Sequence, residues 1–325
     1  MKKKIAWIVL IAILSVTLFT CVGCGVGSND KTNIVVTIFP VYDWVMNVLG
    51  DKASDYSVTL LLDSGADLHS YNPSVADMVA VAGADLFLYV GGESDEWVED
   101  ALKNKTNKDM VAMDLLALLG DKAKAEEIVE GMEHDEEEEE EEEEGVEYDE
   151  HVWLSLRNAA FYVDLIAKEI AAIDSTNADT YKANAAAYIA SLNALDTRYA
   201  AAVEAAPRDT ILFGDRFPFR YMVEDYDLNY YAAFVGCSAE TNASAKTFAF
   251  LANKADELAL KVILKLESST DDIAEGIKSQ TTAKDQRILV LDSLQSATKK
   301  EYAAGRTYLS AMESNLTVLT QALAA

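Results

Sequence analysis

Eight short β-rich runs, set among segments of helical spacing, do most to limit what this chain can fold into. Four fall in the first half, at Ile34–Phe39, Tyr56–Leu62, Asp85–Val90 and Met110–Met113. Four fall in the second, at Thr210–Phe213, Tyr230–Phe234, Val262–Leu266 and Ile288–Leu291. Between them, Val41–Leu49 and Val75–Ala82 place apolar residues at helical intervals. Strands that alternate with helices pair in parallel, because each crossover needs a helix's length of chain, and the helices cover the sheet. The expectation is an α/β fold of two lobes, each a mainly parallel four-stranded sheet covered by helices. Ser175 to Ala206 holds neither Gly nor Pro, so one long connecting helix over residues 180–206 should join a lobe at 34–179 to a lobe at 207–325. Half of the 325 residues are apolar, enough to fill both cores.

The first residues bear on compartment. Lys2, Lys3 and Lys4 precede an apolar run from Ile5 to Thr20, and small residues follow in Cys21-Val22-Gly23-Cys24-Gly25. That is the layout of an export signal over 1–23, with Cys24 placed for acylation as in a bacterial lipobox. An uncleaved anchor is the alternative, since no charge occurs between Ile5 and Asn29. Both place the body outside the cytoplasm, held at the bacterial cell membrane, with residues 24–33 as a flexible tether.

Charge excludes one class of partner. Lys and Arg number 27 against 55 Asp and Glu, a net charge of −28, whereas neutralising nucleic-acid phosphates takes clustered bases. Fourteen acids crowd the eighteen residues Glu133–Glu150, including nine consecutive Glu at 136–144. Such repulsion predicts a disordered loop over 132–150. Three Cys cannot build a disulfide framework, and the only imidazoles are His69, His134 and His151.

In open α/β sheets ligands bind beyond the carboxyl ends of the strands. The segment Asp63–His69 follows the second run, Asp215 follows the fifth, Glu267 the seventh and Asp292 the eighth. A single such acid is ordinarily a loop acid or a helix cap. Four strand ends offering His or carboxylate from two sheets suggest a cation held between lobes.

The stretch Asp63-Ser-Gly-Ala-Asp67-Leu-His69-Ser-Tyr-Asn-Pro73-Ser resembles a motif of the zinc- and manganese-binding solute receptors of ABC importers. So do Asp149-Glu150-His151-Val152-Trp153-Leu154-Ser155 and, near the end, Tyr308-Leu-Ser-Ala-Met312-Glu-Ser-Asn315-Leu316. The similarity runs from about residue 34 to 323. It implies a cleft metal, Zn²⁺ first and Mn²⁺ as the alternative, delivered by a monomer to a membrane permease driven by a separate ATPase. It also implies His69 and His151 as ligands, with Asp292 as the carboxylate after the last strand. The family's third ligand falls here on Gly214, so Asp215 is the substitute, unless Arg216 pairs with it. Glu240, Cys237, Glu267 and His134 are further candidates, the last beside an acid loop that could concentrate cations. A zinc hydrolase lacks its motifs here, and a surface adhesin or metal buffer is the remaining rival.

Overall fold

Ile34, Val35 and Val36 are buried on both sides, as an inner strand of a parallel sheet must be. They belong to β1 (Thr32–Val36) in a computed structural model that describes residues 31–133, 146–238 and 242–324. The chain divides into a leading segment, Met1–Lys31, and a body, Thr32–Ala325. The expected export signal, Cys24, His134, the Glu run and Glu240 lie outside the described residues.

The first half of the body continues through α1 (Phe39–Leu49), β2 (Tyr56–Leu60), α2 (Val75–Ala82), β3 (Leu86–Tyr89), α3 (Trp97–Lys103), β4 (Val111–Asp114) and α4 (Leu115–Leu119). Two long helices follow, α5 (Leu156–Ile173) and α6 (Ala178–Glu204). The second half carries β5 (Thr210–Phe217), α7 (Arg220–Tyr226), β6 (Asn229–Val235), α8 (Ala245–Glu257), β7 (Val262–Lys265), α9 (Asp272–Gln280) and β8 (Arg287–Val290). It closes with α10 (Lys299–Ala303) and α11 (Tyr308–Ala324).

Every strand pairing is parallel, and the two sheets repeat one order, β2-β1-β3-β4 and β6-β5-β7-β8. Each sheet reverses its winding between its two central strands, where the following loops part to leave a crevice. The fold class expected from the alternation is therefore present. One strand departs from expectation: β5 runs on to Phe217, its register shifting between Phe213 and Arg216. Gly214 sits at that irregularity because a Cβ there would stand 2.7 Å from the Cα of Ala274 on α9. It is a packing glycine, not a hinge that frees Asp215 to move.

The connecting helix α6 has 27 residues, about 40 Å at 1.5 Å per residue. Its buried residues, Tyr181, Ala185, Tyr188, Leu192, Leu195 and Tyr199, alternate steps of four and three and form one stripe. α11 returns to that stripe and to α1. Tyr199 donates to the Met312 carbonyl at 2.6 Å, and the Tyr308 ring meets the Trp44 ring edge-on at 5.3 Å.

Inside this three-helix junction lies Asp43, 2 % exposed. Its Oδ2 accepts from the Tyr188 hydroxyl at 2.8 Å and from Asn47 at 3.2 Å. Burial pushes its carboxyl up to about 6, against the opposing pull of Tyr188 and the Tyr308 backbone. The folded state thus keeps a proton that the unfolded chain releases near pH 4, so stability falls as pH rises from about 4 through 6. Asp43→Asn removes this loss. Urea unfolding should show the variant gaining on the native protein by up to about 3 kcal/mol between pH 4 and pH 7; a constant difference across that range would contradict the assignment.

Candidate metal centre

The two key imidazoles are presented by the same local device. In Asp67-Leu68-His69 and in Asp149-Glu150-His151, the Asp two residues ahead accepts the His backbone N–H on Oδ1, at 3.0 Å and 2.8 Å. Each His then opens or sits in a short 3₁₀ turn, Leu68–Ser70 or Val152–Leu154, pinned by fully buried Leu68, Val152, Trp153 and Leu154. The backbone of both rings is fixed before any ligand arrives.

Their other contacts fix the rings themselves. His151, with no exposed surface, sets Nδ1 3.1 Å from Asp149 Oδ1. His69 sets Nδ1 2.8 Å from Ser94 Oγ and 3.6 Å from Glu150 Oε2. Asp149 behind Nδ1 of His151 and Ser94 behind Nδ1 of His69 can take the Nδ1 protons when an ion claims the Nε2 lone pairs, the arrangement that carboxylates impose on metal-ligating histidines. The two Nε2 atoms face one another at 3.1 Å. Two nitrogens on a tetrahedral Zn²⁺ at about 2.05 Å would stand about 3.3 Å apart.

A shared proton could also relieve two facing lone pairs. Burial opposes it: desolvation, then the neighbouring His151, lowers the His69 imidazole to about 3, although Asp67 pulls the other way. At neutral pH the His69 ring is therefore neutral and can offer a lone pair to a metal cation.

The second lobe closes over this pair. Gly236, just past β6, lets the backbone approach; a Cβ there would stand 3.2 Å from His151 Cε1. The next residue is Cys237, and a donor atom from each of His69, His151 and Cys237 lies within 4.8 Å of the other two. Glu126 holds the cysteine, accepting its backbone N–H at 3.1 Å. Burial, then the charges of Glu126, Asp149 and Glu150, push the thiol well above its ordinary range. Gln295 completes the rim. Its amide nitrogen donates to Asp67 at 3.0 Å, and its oxygen accepts from His151 Nε2 at 2.6 Å, a hydrogen bond that a metal ion on Nε2 would replace.

The carboxylates expected as ligands are not brought to this cluster. Asp215 accepts the Leu266 N–H at 2.9 Å and the Arg216 N–H at 2.8 Å, tying β5 to the end of β7. Asp292 is bound by Arg306 at 2.5 Å and by the Leu294 N–H at 2.9 Å. Glu267 accepts from Ser293 and Ser296 at 2.8–2.9 Å. All three organise strand-end loops, the commoner fate of such acids. Nor does Arg216 pair with the Asp215 side chain. Its guanidinium crosses the cleft to Asp67 Oδ2 at 2.7 Å, and although burial raises the Asp67 carboxyl, this pairing leaves it net below the usual range. Gln295 escaped the sequence reading because amides are seldom counted as metal-site groups; its place three residues past Asp292, on the same loop, is the signal that points to it.

Two α/β lobes shut over convergent imidazole and thiol donors define a two-lobed receptor for a metal ion. The chain belongs to the family described as "ZnuA: Zinc-uptake complex component A periplasmic", whose model matches residues 34–322. It is 31% identical over 303 residues to the high-affinity zinc uptake system protein ZnuA of Bacillus subtilis, covering 93% of this chain and 90% of that protein. It is 32% identical over 298 residues to the zinc-binding lipoprotein AdcA of Streptococcus pneumoniae. That match covers 90% of this chain but 56% of AdcA, so the chain spans about half the length of several curated relatives. The Zn(II)-bound ZnuA-like domain of the same AdcA superposes with a TM-score of 0.70 at 28% identity, over 91% of this chain and all of that domain.

The Asp67–Arg216 pair holds the lobes together next to the donors without any ion. Arg216→Gln should lower the unfolding free energy of the metal-free protein by about 2 kcal/mol, as losing one partner of a partly buried pair does. It should also speed deuterium exchange in residues 66–71; unchanged exchange there would show that the loop is held by other means.

Proposed function

We propose that this chain is the extracytoplasmic receptor of a zinc ABC importer, which captures Zn²⁺ between its lobes and delivers it to a membrane permease. The observation that carries this reading is the convergence of His69 Nε2 and His151 Nε2, 3.1 Å apart, with a Cys237 donor within 4.8 Å of both residues' donors. His69 and His151 supply the first lobe's ligands, and Cys237 supplies the second lobe's, with the Gln295 oxygen beside them. Asp215 and Asp292 keep their structural roles. A thiolate beside two imidazoles suits zinc and disfavours manganese, which prefers oxygen donors. Membership of a zinc-uptake family supports the permease as partner, and a separate ATPase would drive transport. The receptor acts as a monomer held at the membrane through a lipid on Cys24. Among the described residues no helix is long and apolar enough to cross a membrane.

The role is binding, not catalysis. A catalytic zinc keeps one coordination position open to water and substrate, whereas here Gln295, tied to Asp67, closes over the imidazoles.

Two tests follow from the donor set. His69→Ala, His151→Ala and Cys237→Ala should each weaken zinc by more than the roughly 10–100-fold typical of residues behind the ligands, whereas Asp215→Asn should leave the metal stoichiometry unchanged. Competition titration with a chelator reads both; equal losses at Asp215 and Cys237 would overturn the assignment. Because the Cys237 thiol is held protonated, each zinc bound must displace its proton. Affinity should therefore rise about tenfold per pH unit between pH 6 and 8, and calorimetry in buffers of different ionisation enthalpy should find about one proton released. Cys237→Ser should remove that slope.

A further inference from the structure

The two imidazoles are not equally supported. His151 has no exposed surface, and its Nδ1 stands 3.1 Å from a carboxylate oxygen of Asp149. The His69 side chain is 11 % exposed, and its Nδ1 stands 2.8 Å from an uncharged group, the Ser94 hydroxyl. Glu150 Oε2 lies 3.6 Å from the same nitrogen, too far for a hydrogen bond. His69 and Cys237 also line an open cavity of about 600 Å³, and His151 is not among the described residues that do so.

Ser94 owes its place to a turn at the carboxyl end of β3. Gly91 and Gly92 take φ of +87° and +78° there. Asp95, 3 % exposed, folds back so that its Oδ2 accepts the Val90 N–H at 2.8 Å and the Gly91 N–H at 3.0 Å. A Cβ on Gly92 would collide with Glu150 Oε1; without one, that oxygen comes in to accept the Ser94 N–H at 2.9 Å. One residue therefore touches both histidine loops, by its backbone the residue before His151 and by its hydroxyl the ring of His69. The hydroxyl is held on its target as firmly as Asp149 is, but it brings no charge.

The group behind a ligating imidazole sets how strongly the other nitrogen donates. A carboxylate drawing on Nδ1–H raises the basicity of Nε2, and a charge-assisted hydrogen bond is roughly twice as strong as a neutral one. We propose that Ser94 is a positioning residue that makes His69 the labile ligand, the imidazole that joins the zinc last and leaves it first. The proposal rests on the reading of the cluster as the zinc site. Of the two donors that open onto the cavity, the thiolate carries a charge toward the ion and the imidazole none, so His69 is the one to yield there. His151, backed by a carboxylate and fully buried, keeps its hold with Cys237. A receptor that must surrender its ion needs one ligand weaker than the rest. A hydroxyl in place of a carboxylate supplies that weakness without freeing the ring.

Zinc release from the loaded chain into excess chromophoric chelator, followed by stopped flow, tests this at a single position. Ser94→Asp sets a carboxylate behind Nδ1 and should slow release by about tenfold. Ser94→Ala removes the acceptor and should speed release by about 10–100-fold. Ser94→Thr keeps the hydroxyl and should restore a rate close to the native one. A residue that only shapes the turn would be harmed by both Asp and Ala, whereas a graded ligand strength moves them in opposite directions. Faster release from both variants would overturn the proposal, as would equal rates from Ser94→Ala and Ser94→Thr, a comparison that stands even if Ser94→Asp does not fold. Absence of a tight zinc equivalent in the native chain would instead defeat the parent reading.

Discussion

Everything in the cleft depends on where two imidazole protons are kept. Asp149 stands behind Nδ1 of His151 and Ser94 behind Nδ1 of His69, so that the two Nε2 atoms point toward one another. Free imidazoles would avoid that geometry or share a proton. Here the fully buried turn after His151 and the buried Leu68 before His69 deny the rings room to rotate away. Burial moves the His69 imidazole further from protonation. The first lobe thus brings two ring nitrogens to a spacing that one tetrahedral ion could bridge.

The second lobe is fastened over this point by contacts that need no metal. Trp153, two residues after His151, donates its indole N–H to the Ser293 carbonyl at 2.8 Å and accepts the Tyr308 hydroxyl on its own carbonyl at 2.7 Å. Tyr221 of α7 donates to the Asp149 carbonyl at 3.0 Å, and Arg216 reaches Asp67. The returning helix α11 packs on α1 and α6, so the last segment of the chain rests on helices of the first half. Closure is consequently a property of the protein, and a bound ion adds to it.

Much of this was legible in the residues. Alternating runs specified two parallel sheets because period and length distinguish covered strands from helices, and the uninterrupted stretch before Pro207 specified the connecting helix. His69 and His151 stood out because imidazole is scarce in this chain and each follows an Asp by two residues. The strand-end acids are ambiguous for a physical reason. Asp215, Glu267 and Asp292 occupy positions from which a carboxylate can reach either an ion or the backbone N–H groups of the neighbouring loop, and composition does not distinguish these uses. The register shift in β5 decided the matter for Asp215, by turning its oxygens toward Leu266. Cys237 and Gln295 owe their places to Gly236 and to the loop after β8, which are properties of three-dimensional approach.

The charge around the donors also bears on how a thiol survives outside the cytoplasm. Glu126, Asp149 and Glu150 lie close enough to raise the Cys237 thiol, after burial has done so already, while Arg216 is spent on Asp67. The same acids that favour the arrival of a dication therefore keep sulfur protonated until it comes. Since the thiolate is the form that oxidises and exchanges with disulfides, the metal-free receptor carries its cysteine in the inert state. On the proposed reading zinc would displace that proton, so the thiolate would form only where the metal takes it up. A carboxylate in that position would give the ion charge without the preference for a thiophilic metal, and an imidazole would give softness without the negative charge. The acid-shielded thiol supplies both.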